Sequence, residues 1–217
     1  MGKIRALIFD MDGVIVHSNP WHIKAWKEYN RARGVGMTEA MQQRMYGKRN
    51  DELIREFYGE QLGDAEVFAH GAAKETLYRE MMKPHLYTAL VPGIREFLGR
   101  YGGLNLAVAT NAEPPNVDFV LGETGLRGFF GVIVNGHDVS NPKPHPEIYL
   151  RVADQLRADP ADCVVFEDSH TGVEAGLGAG MRVVGLTTTH DDLAGVALAI
   201  PDFNDPRLEA WLSSVLH

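Results

Sequence analysis

Five short apolar runs, rich in β-branched residues, punctuate the chain at residues 4–9 (IRALIF), 104–109 (LNLAVA), 132–134 (VIV), 163–166 (CVVF) and 182–186 (RVVGL). Segments of helical periodicity separate them. Apolar strands that alternate with helices pair in parallel, and a parallel sheet is covered on both faces. The helices are signposted by proline near the first turn: Pro92-Gly93 precedes IREFLGRY, Pro114-Pro115 precedes NVDFVLGET and Pro146 precedes EIYLRVADQL. The fold class expected is therefore α/β with a parallel sheet.

One connection breaks the pattern. Almost a hundred residues lie between Phe9 and Leu104, far more than the single helix of a βαβ crossover. The surplus reads as helical throughout. Asn19 is placed to cap a helix with Pro20 in its first turn, running to Arg33 and stopped at Gly34. Thr38 and Asn50 would cap two short helices, and Asp64 a longer one that ends before Pro84. The expected organisation is an all-helical insert over residues 17–86, set into a core made of residues 1–16 and 87–217. Its two crossings run side by side and form a hinge.

Composition narrows the class. An apolar content of 45% with 23% charged residues suits a globular chain with a real core. Twenty-one basic against twenty-nine acidic residues give a net charge of -8, with no basic stripe, which argues against a nucleic-acid partner. No apolar stretch approaches the roughly 18 residues that span a bilayer. The first apolar run is cut short by Asp10 and Asp12, so no signal peptide is expected. The single cysteine, Cys163, sits in a run that reads as a buried strand and suits a reducing cytoplasm. Oligomeric state leaves no mark in the sequence.

Four chemical signals fall at or just after strand ends, where open α/β sheets bind their ligands. The first run ends in Asp10-Met11-Asp12-Gly13, two carboxylates two positions apart. The second is followed by Thr110-Asn111, a hydroxyl and backbone N–H groups suited to phosphate oxygens. After the third comes Asn141-Pro142-Lys143-Pro144, a point charge held between prolines. The fourth delivers Glu167-Asp168-Ser169, with Thr171-Gly172 opening a helix. Each alone is an ordinary cap, turn or surface residue. Four in order at four strand ends are not.

These residues resemble the four motifs of the haloacid dehalogenase superfamily, in its phosphatase and phosphomutase branch, and the match spans essentially the whole chain. The resemblance implies a Rossmann-like core with a mobile helical cap. It implies that Asp10 is a nucleophile, that Asp12 does acid and base work, that Thr110 and Asn111 hold the phosphoryl group, and that Lys143 neutralises charge. Asp168 with Glu167 would bind or support Mg²⁺, together with Asp10 and Asp12, the latter through its backbone carbonyl. The chemistry is coherent on its own terms. A carboxylate that attacks a phosphate dianion meets a repulsion of about 4 kcal/mol per unit pair at 4 Å and an effective dielectric near 20, so cations are needed. Hard oxygen ligands suit Mg²⁺. Dehalogenases lack the second aspartate, so carbon–halogen cleavage is disfavoured. A signalling receiver also phosphorylates an aspartate on such a sheet, but it lacks both the DxD and the long insert.

Within the insert, His22 matches a histidine of β-phosphoglucomutase, and Lys74 with Tyr78 resembles a KxxxY stretch of that mutase. Two positions depart from it. Asn50 stands where the mutase pattern has arginine, which leaves Arg49, one place earlier, as the candidate substrate contact. Glu113 stands where it has lysine. Both changes weaken the grip on a second phosphate. The reading is an Mg²⁺-dependent phosphohydrolase for a small phosphorylated substrate, with a β-phosphoglucomutase-like sugar phosphomutase as the rival. The other histidines, His17, His70, His85, His137, His145, His170 and His190, show no metal-ligand spacing and read as surface or packing residues. The glycines of residues 172–180 read as close helix–sheet packing rather than a dinucleotide fingerprint.

Overall fold

The structure, a computed structural model, describes residues 4–46 and 48–216, so the first core segment is seen from Ile4. In chain order the elements are β1 (Ala6–Phe9), α1 (Asn19–Arg31), α2 (Glu39–Gln43), α3 (Asn50–Tyr58), α4 (Asp64–Met82), α5 (Ile94–Arg100), β2 (Asn105–Ala109), α6 (Pro114–Glu123), β3 (Val132–Val134), α7 (Glu147–Leu156), β4 (Cys163–Glu167), α8 (His170–Gly178), β5 (Arg182–Leu186), β6 (Leu198–Ile200) and α9 (Pro206–Leu216). The strands form one parallel sheet in the order β3-β2-β1-β4-β5-β6. This is the Rossmann-like α/β architecture that the alternation of runs predicts. The sixth strand and the last helix were not among the elements expected.

The two faces of the sheet follow the period of two along each strand. Leu7, Phe9, Leu106, Val108, Val164 and Phe166 point to the face covered by α5, α6 and α9. Ala6, Ile8, Ala107, Cys163 and Val165 point to the face covered by α7 and α8. β1 is central, paired with β2 on one side and β4 on the other. Phe9 stacks on its register partner Phe166 at 4.8 Å, and burying each such ring stabilises by about 1.5–3 kcal/mol. Gly176 of α8 is there for helix–sheet packing: a Cβ on it would stand 2.9 Å from a Val183 methyl.

Helices α1 to α4 fill the long connection and have their own apolar cluster of Trp26, Tyr29, Met45, Leu53, Ile54 and Val67. The chain leaves and rejoins the core through a short antiparallel pairing, in which His17 N–H donates to Ala89 at 2.7 Å and Val91 N–H donates to Ile15 at 3.0 Å. Only Thr38 caps as its sequence suggests, accepting from Met41 N–H. Ser18, not Asn19, holds the N-cap position of α1, Arg49, not Asn50, that of α3, and Gly63, not Asp64, that of α4. Asn19 and Asn50 have side-chain partners elsewhere, described below, and that competition removes them from capping. Helix α1 ends at Arg31, short of the expected Arg33, and Gly34 then adopts φ +71°. Among the described residues no helix is long and apolar enough to cross a membrane.

Candidate active site

The carboxyl ends of β1, β2 and β4 and the loop after β3 converge on one cavity of 330 Å³ between the sheet and the helical insert. Asp10, Asp12, Thr110, Asn111, Lys143 and Asp168 line it from the core, and His22, Arg49, Asn50, Lys74 and Glu75 from the insert. Every candidate residue of the sequence is therefore at this cavity except Glu167, which lies directly behind it.

Lys143 ties the core motifs together. Its ammonium has three donors, and all three are used: Asp10 Oδ1 at 2.7 Å, Glu167 Oε1 at 2.6 Å and the Ala109 carbonyl at 3.0 Å. Glu167 is fully buried and saturated. Its Oε1 also accepts from the Tyr149 hydroxyl at 2.7 Å, and its Oε2 accepts from Asp168 N–H, Ser169 N–H and the Ser169 hydroxyl. A Cβ on Gly172 would stand 1.9 Å from the Glu167 carboxyl carbon, so only glycine fits there. Asp168 Oδ2 accepts from Asn19 Nδ2 at 3.2 Å and from the Thr189 hydroxyl. Gly13, at φ +81°, makes room for that carboxylate, since a Cβ there would stand 1.8 Å from Oδ2.

Carboxylate oxygens of Asp10, Glu167 and Asp168 lie within 4.8 Å of one another. Like charges at that distance repel by about 3 kcal/mol per pair at an effective dielectric near 20. Burial, with Glu167 and Asp12 adding repulsion against the pull of Lys143, pushes Asp10 up to about 7. Burial with Glu167 and Asp10 as neighbours pushes Asp168 well above the usual range. The pairs with Asp10 and Glu167 overcome burial and raise Lys143. Three acids against one lysine leave an excess of negative charge among hard oxygen donors, the donor set a small divalent cation takes. Glu167 already spends both oxygens on protein donors. The Asp12 carboxylate is not part of this trio.

Asp12 belongs to a second network. Its Oδ1 accepts from the Ser18 hydroxyl at 2.5 Å and lies 3.5 Å from His22 Nε2. The His22 ring stacks on Tyr78 at 3.7 Å, and its Nδ1 meets Lys74 Nζ at 2.9 Å. An ammonium cannot accept, so Nδ1 accepts and the ring proton resides on Nε2, towards Asp12. Although burial opposes it, His22 and Ser18 hold the Asp12 carboxyl below the usual range. Lys74 is buried, not a solvated helix face, and bonds Glu75 Oε1 at 2.7 Å. Against the effect of burial, Lys74 and His22 hold Glu75 down at about 2.

Glu75 continues the network. It accepts from Asn50 Nδ2 at 2.7 Å and Asn116 Nδ2 at 2.7 Å, and the same Asn50 nitrogen donates to Glu113 Oε1 at 2.8 Å. The two departures from the mutase pattern are thus bonded to each other across the boundary between insert and core. Arg49 lines the cavity with its guanidinium 3.3 Å from Asp51. Sequence reasoning missed Ser18, Asn19, Glu75, Asn116, Tyr149 and Thr189. His137 is a surface residue and His190 packs on Tyr46 and His170, as expected; His137 also lines the cavity, and His190 Nδ1 meets the Asp168 carbonyl at 3.2 Å. His70 and His85 do pack, on Tyr58 and Trp21.

Comparison with known proteins agrees with this geometry. The sequence profile of the haloacid dehalogenase-like hydrolases matches residues 4–180, and the chain belongs to that family of enzymes. The protein CbbY of Rhodobacter capsulatus is 32% identical over 96% of this chain and 97% of its own. A fructose-1-phosphate phosphatase of Escherichia coli, YqaB, is 30% identical over 84% of this chain and 96% of its own. The crystal structure of a β-phosphoglucomutase from Clostridium difficile has the same fold, with a TM-score of 0.87, 24% identity and coverage of 98% of this chain and 97% of that one.

Proposed function

We propose that the protein is a Mg²⁺-dependent phosphohydrolase that cleaves a small phosphorylated metabolite through a phosphoaspartate on Asp10, with residues 17–86 as a cap that excludes water. The observation that carries this reading is the three-way clamp of Lys143, which fixes Asp10 and Glu167 beside Asp168 at the end of the central strand. Phosphorylated sugars are the favoured substrates, since the Escherichia coli relative is named for one.

Asp10 attacks phosphorus with one carboxylate oxygen, the ester P–O bond breaks, and the departing alkoxide takes a proton from Asp12. Water then attacks the aspartyl phosphate and gives its proton to Asp12. The acyl phosphate P–O bond breaks, and inorganic phosphate leaves with Asp10 restored. Asp12 suits both steps. His22 and Ser18 favour its carboxylate, and an incoming phosphate dianion disfavours it, so its proton affinity rises when substrate binds. Thr110 and the Asn111 backbone orient the phosphoryl oxygens, and Lys143 takes up charge on the equatorial ones. Asp10, Asp168 and the Asp12 carbonyl would hold Mg²⁺, which when bound would supply the remaining positive charge.

A mutase reading draws on His22 and Lys74, the two insert residues that resemble the mutase and that meet in the cavity. Asn50 and Glu113 weigh more, because a mutase that cycles through a bisphosphate must hold a second dianion where this chain has an amide bonded to a carboxylate. A reducing cytoplasm suits the lone Cys163, whose thiol burial and nearby Asp162 and Asp159 push up to about 11. The net charge of -8, with no basic stripe in the sequence, argues against a nucleic-acid partner.

The experiment is phosphorus NMR of the protein with β-glucose 1-phosphate, a trace of its bisphosphate and Mg²⁺. Release of inorganic phosphate is expected, whereas fast conversion to glucose 6-phosphate without release overturns the reading. Asp10→Asn should abolish both turnover and the acid-trapped phosphoenzyme, since an amide is a poor nucleophile and metal ligand.

A further inference from the structure

The lysines and arginines that line the cavity are already paired with acids of this chain. Lys143 holds Asp10 and Glu167, Lys74 holds Glu75, Lys48 lies 3.5 Å from Glu56, Arg49 lies 3.3 Å from Asp51, and Arg55 lies 2.6 Å from Asp64. Glu113 lines the same cavity and differs. Among the described residues no lysine, arginine or histidine nitrogen lies within 4.0 Å of its carboxylate.

Nor does Glu113 serve its own helix. It occupies the N-cap of α6, yet its side chain accepts no capping hydrogen bond, although helix N-termini favour anions. It reaches instead towards the insert, where Oε1 accepts from Asn50 and would stand 3.5 Å from a Cβ on Gly71. Asn50 gives both its amide protons to acids, one to Glu75 and one to Glu113. What these two residues have left to offer a ligand is oxygen: the Asn50 carbonyl and the Glu113 carboxylate. A half-buried carboxylate without a counter-charge disfavours an anion beside it, loses hydration to an apolar group and gains most from a cation with several donors. An ammonium, with three donors and one positive charge, meets that description better than a hydroxyl.

We infer that the substrates of this site are phosphate monoesters that carry a protonated amine away from the phosphate, an amino-sugar or amino-alcohol phosphate, with Glu113 as the residue that selects the ammonium. The inference rests on the phosphohydrolase reading and narrows its substrate class. Asp10, Thr110, Asn111 and Lys143 take the phosphoryl end, and Glu113 with Asn50 takes the amine.

The test compares matched esters that differ only in amine against hydroxyl: glucosamine 6-phosphate with glucose 6-phosphate, and 3-aminopropyl phosphate with 3-hydroxypropyl phosphate. Wild-type protein with Mg²⁺ should favour the amine in kcat/KM by about tenfold in at least one pair, the scale of one partly buried ion pair. Glu113→Gln should bring that ratio to near one, and Glu113→Lys should invert it. Each ratio is taken within one variant, so a general loss of activity cancels. Equal or opposite preference in both pairs overturns the inference and leaves the phosphohydrolase reading standing, as does a preference that persists in Glu113→Gln. Failure to release phosphate from any ester overturns the phosphohydrolase reading instead. Calorimetric titration with the same four esters then decides the role of Glu113: tighter amine binding supports it, and equal or absent binding overturns it.

Discussion

Replacing Lys143 with methionine keeps much of the side-chain volume and removes the charge that two buried carboxylates share. Asp10 Oδ1 and Glu167 Oε1 stand 2.7 and 2.6 Å from its nitrogen, and deleting one partner of a buried ion pair costs about 3–5 kcal/mol. The cost should depend on pH in a direction set by Asp10. Even with the lysine present, burial and acidic neighbours raise the Asp10 carboxyl from 3.8 to about 7. A shift of about three units disfavours its ionised form in the folded protein by about 4 kcal/mol, since each unit is worth 1.36 kcal/mol. A raised carboxyl contributes stability below its unfolded value and loses it as pH rises through the folded one. Metal-free wild type should therefore become less stable from about pH 4 to about pH 7. Without the lysine the folded value climbs further, so the decline extends to higher pH.

Urea unfolding in a chelating buffer at about pH 5.5 and about pH 8.5 reads this out. Lys143→Met should lose little at the lower pH and about 3–5 kcal/mol at the higher one. Saturating Mg²⁺ should return part of the loss, because the cation neutralises the same carboxylates. An equal loss at both pH values would refute the reasoning and assign the effect to packing of the lysine stem against Tyr149, which lies 5.0 Å from its nitrogen.

Asp12→Asn should fold normally and lose about 10² to 10⁴ in kcat on an ester with a poor leaving group, the usual worth of a positioned acid and base; a near-wild-type rate on that ester would refute the role. Asp168→Asn should need more Mg²⁺ for activity while unfolding at a higher temperature than wild type in chelator near pH 8, because it removes a carboxyl whose proton affinity burial has raised; unchanged metal affinity by calorimetry would make Asp168 structural. Gly172→Ala should destabilise by about 1–3 kcal/mol, the cost of overpacking, and should lower activity with the circular dichroism spectrum intact, since the new methyl displaces Glu167.

The chemistry at the strand ends was legible because each signal is local. A strand announces itself by its apolar run, and the residue that follows is delivered to the carboxyl edge whatever else the chain does. Asp10, Thr110, Glu167 and Asp168 are of this kind. Tyr149 and Thr189 are not: one acts from the first turn of α7 and the other from the loop after β5, and nothing near either in sequence marks it as a partner of Glu167 or Asp168. Strand β6, LAI, is as short as β3, VIV, but has one β-branched residue where β3 has three. Helix α9 carries a readable signal in Asp205-Pro206 with Leu208, Trp211, Leu212 and Val215 at helical spacing. Two of the three N-caps that failed, Asn19 and Asn50, share a reason. Asparagine is a good cap when nothing better is in reach, and a distant carboxylate is better, so Asn19 and Asn50 went to Asp168 and Glu75.

Asn50 shows how far a linear reading goes. Its identity and that of Glu113 could each be set against a mutase pattern, and each alone is a lost positive charge. Their contact, 63 residues apart in sequence, joins α3 to the start of α6. With Asn116, which bonds both Glu75 and Arg79 of α4, it forms a polar seam between insert and core. Restoring arginine at Asn50 alone would therefore place a cation against two carboxylates, Glu75 and Glu113, rather than free it for a distal phosphate. A gain of bisphosphate binding requires both positions to change together, and the coupling between them in a double-mutant cycle measures how much of the specificity resides in the seam.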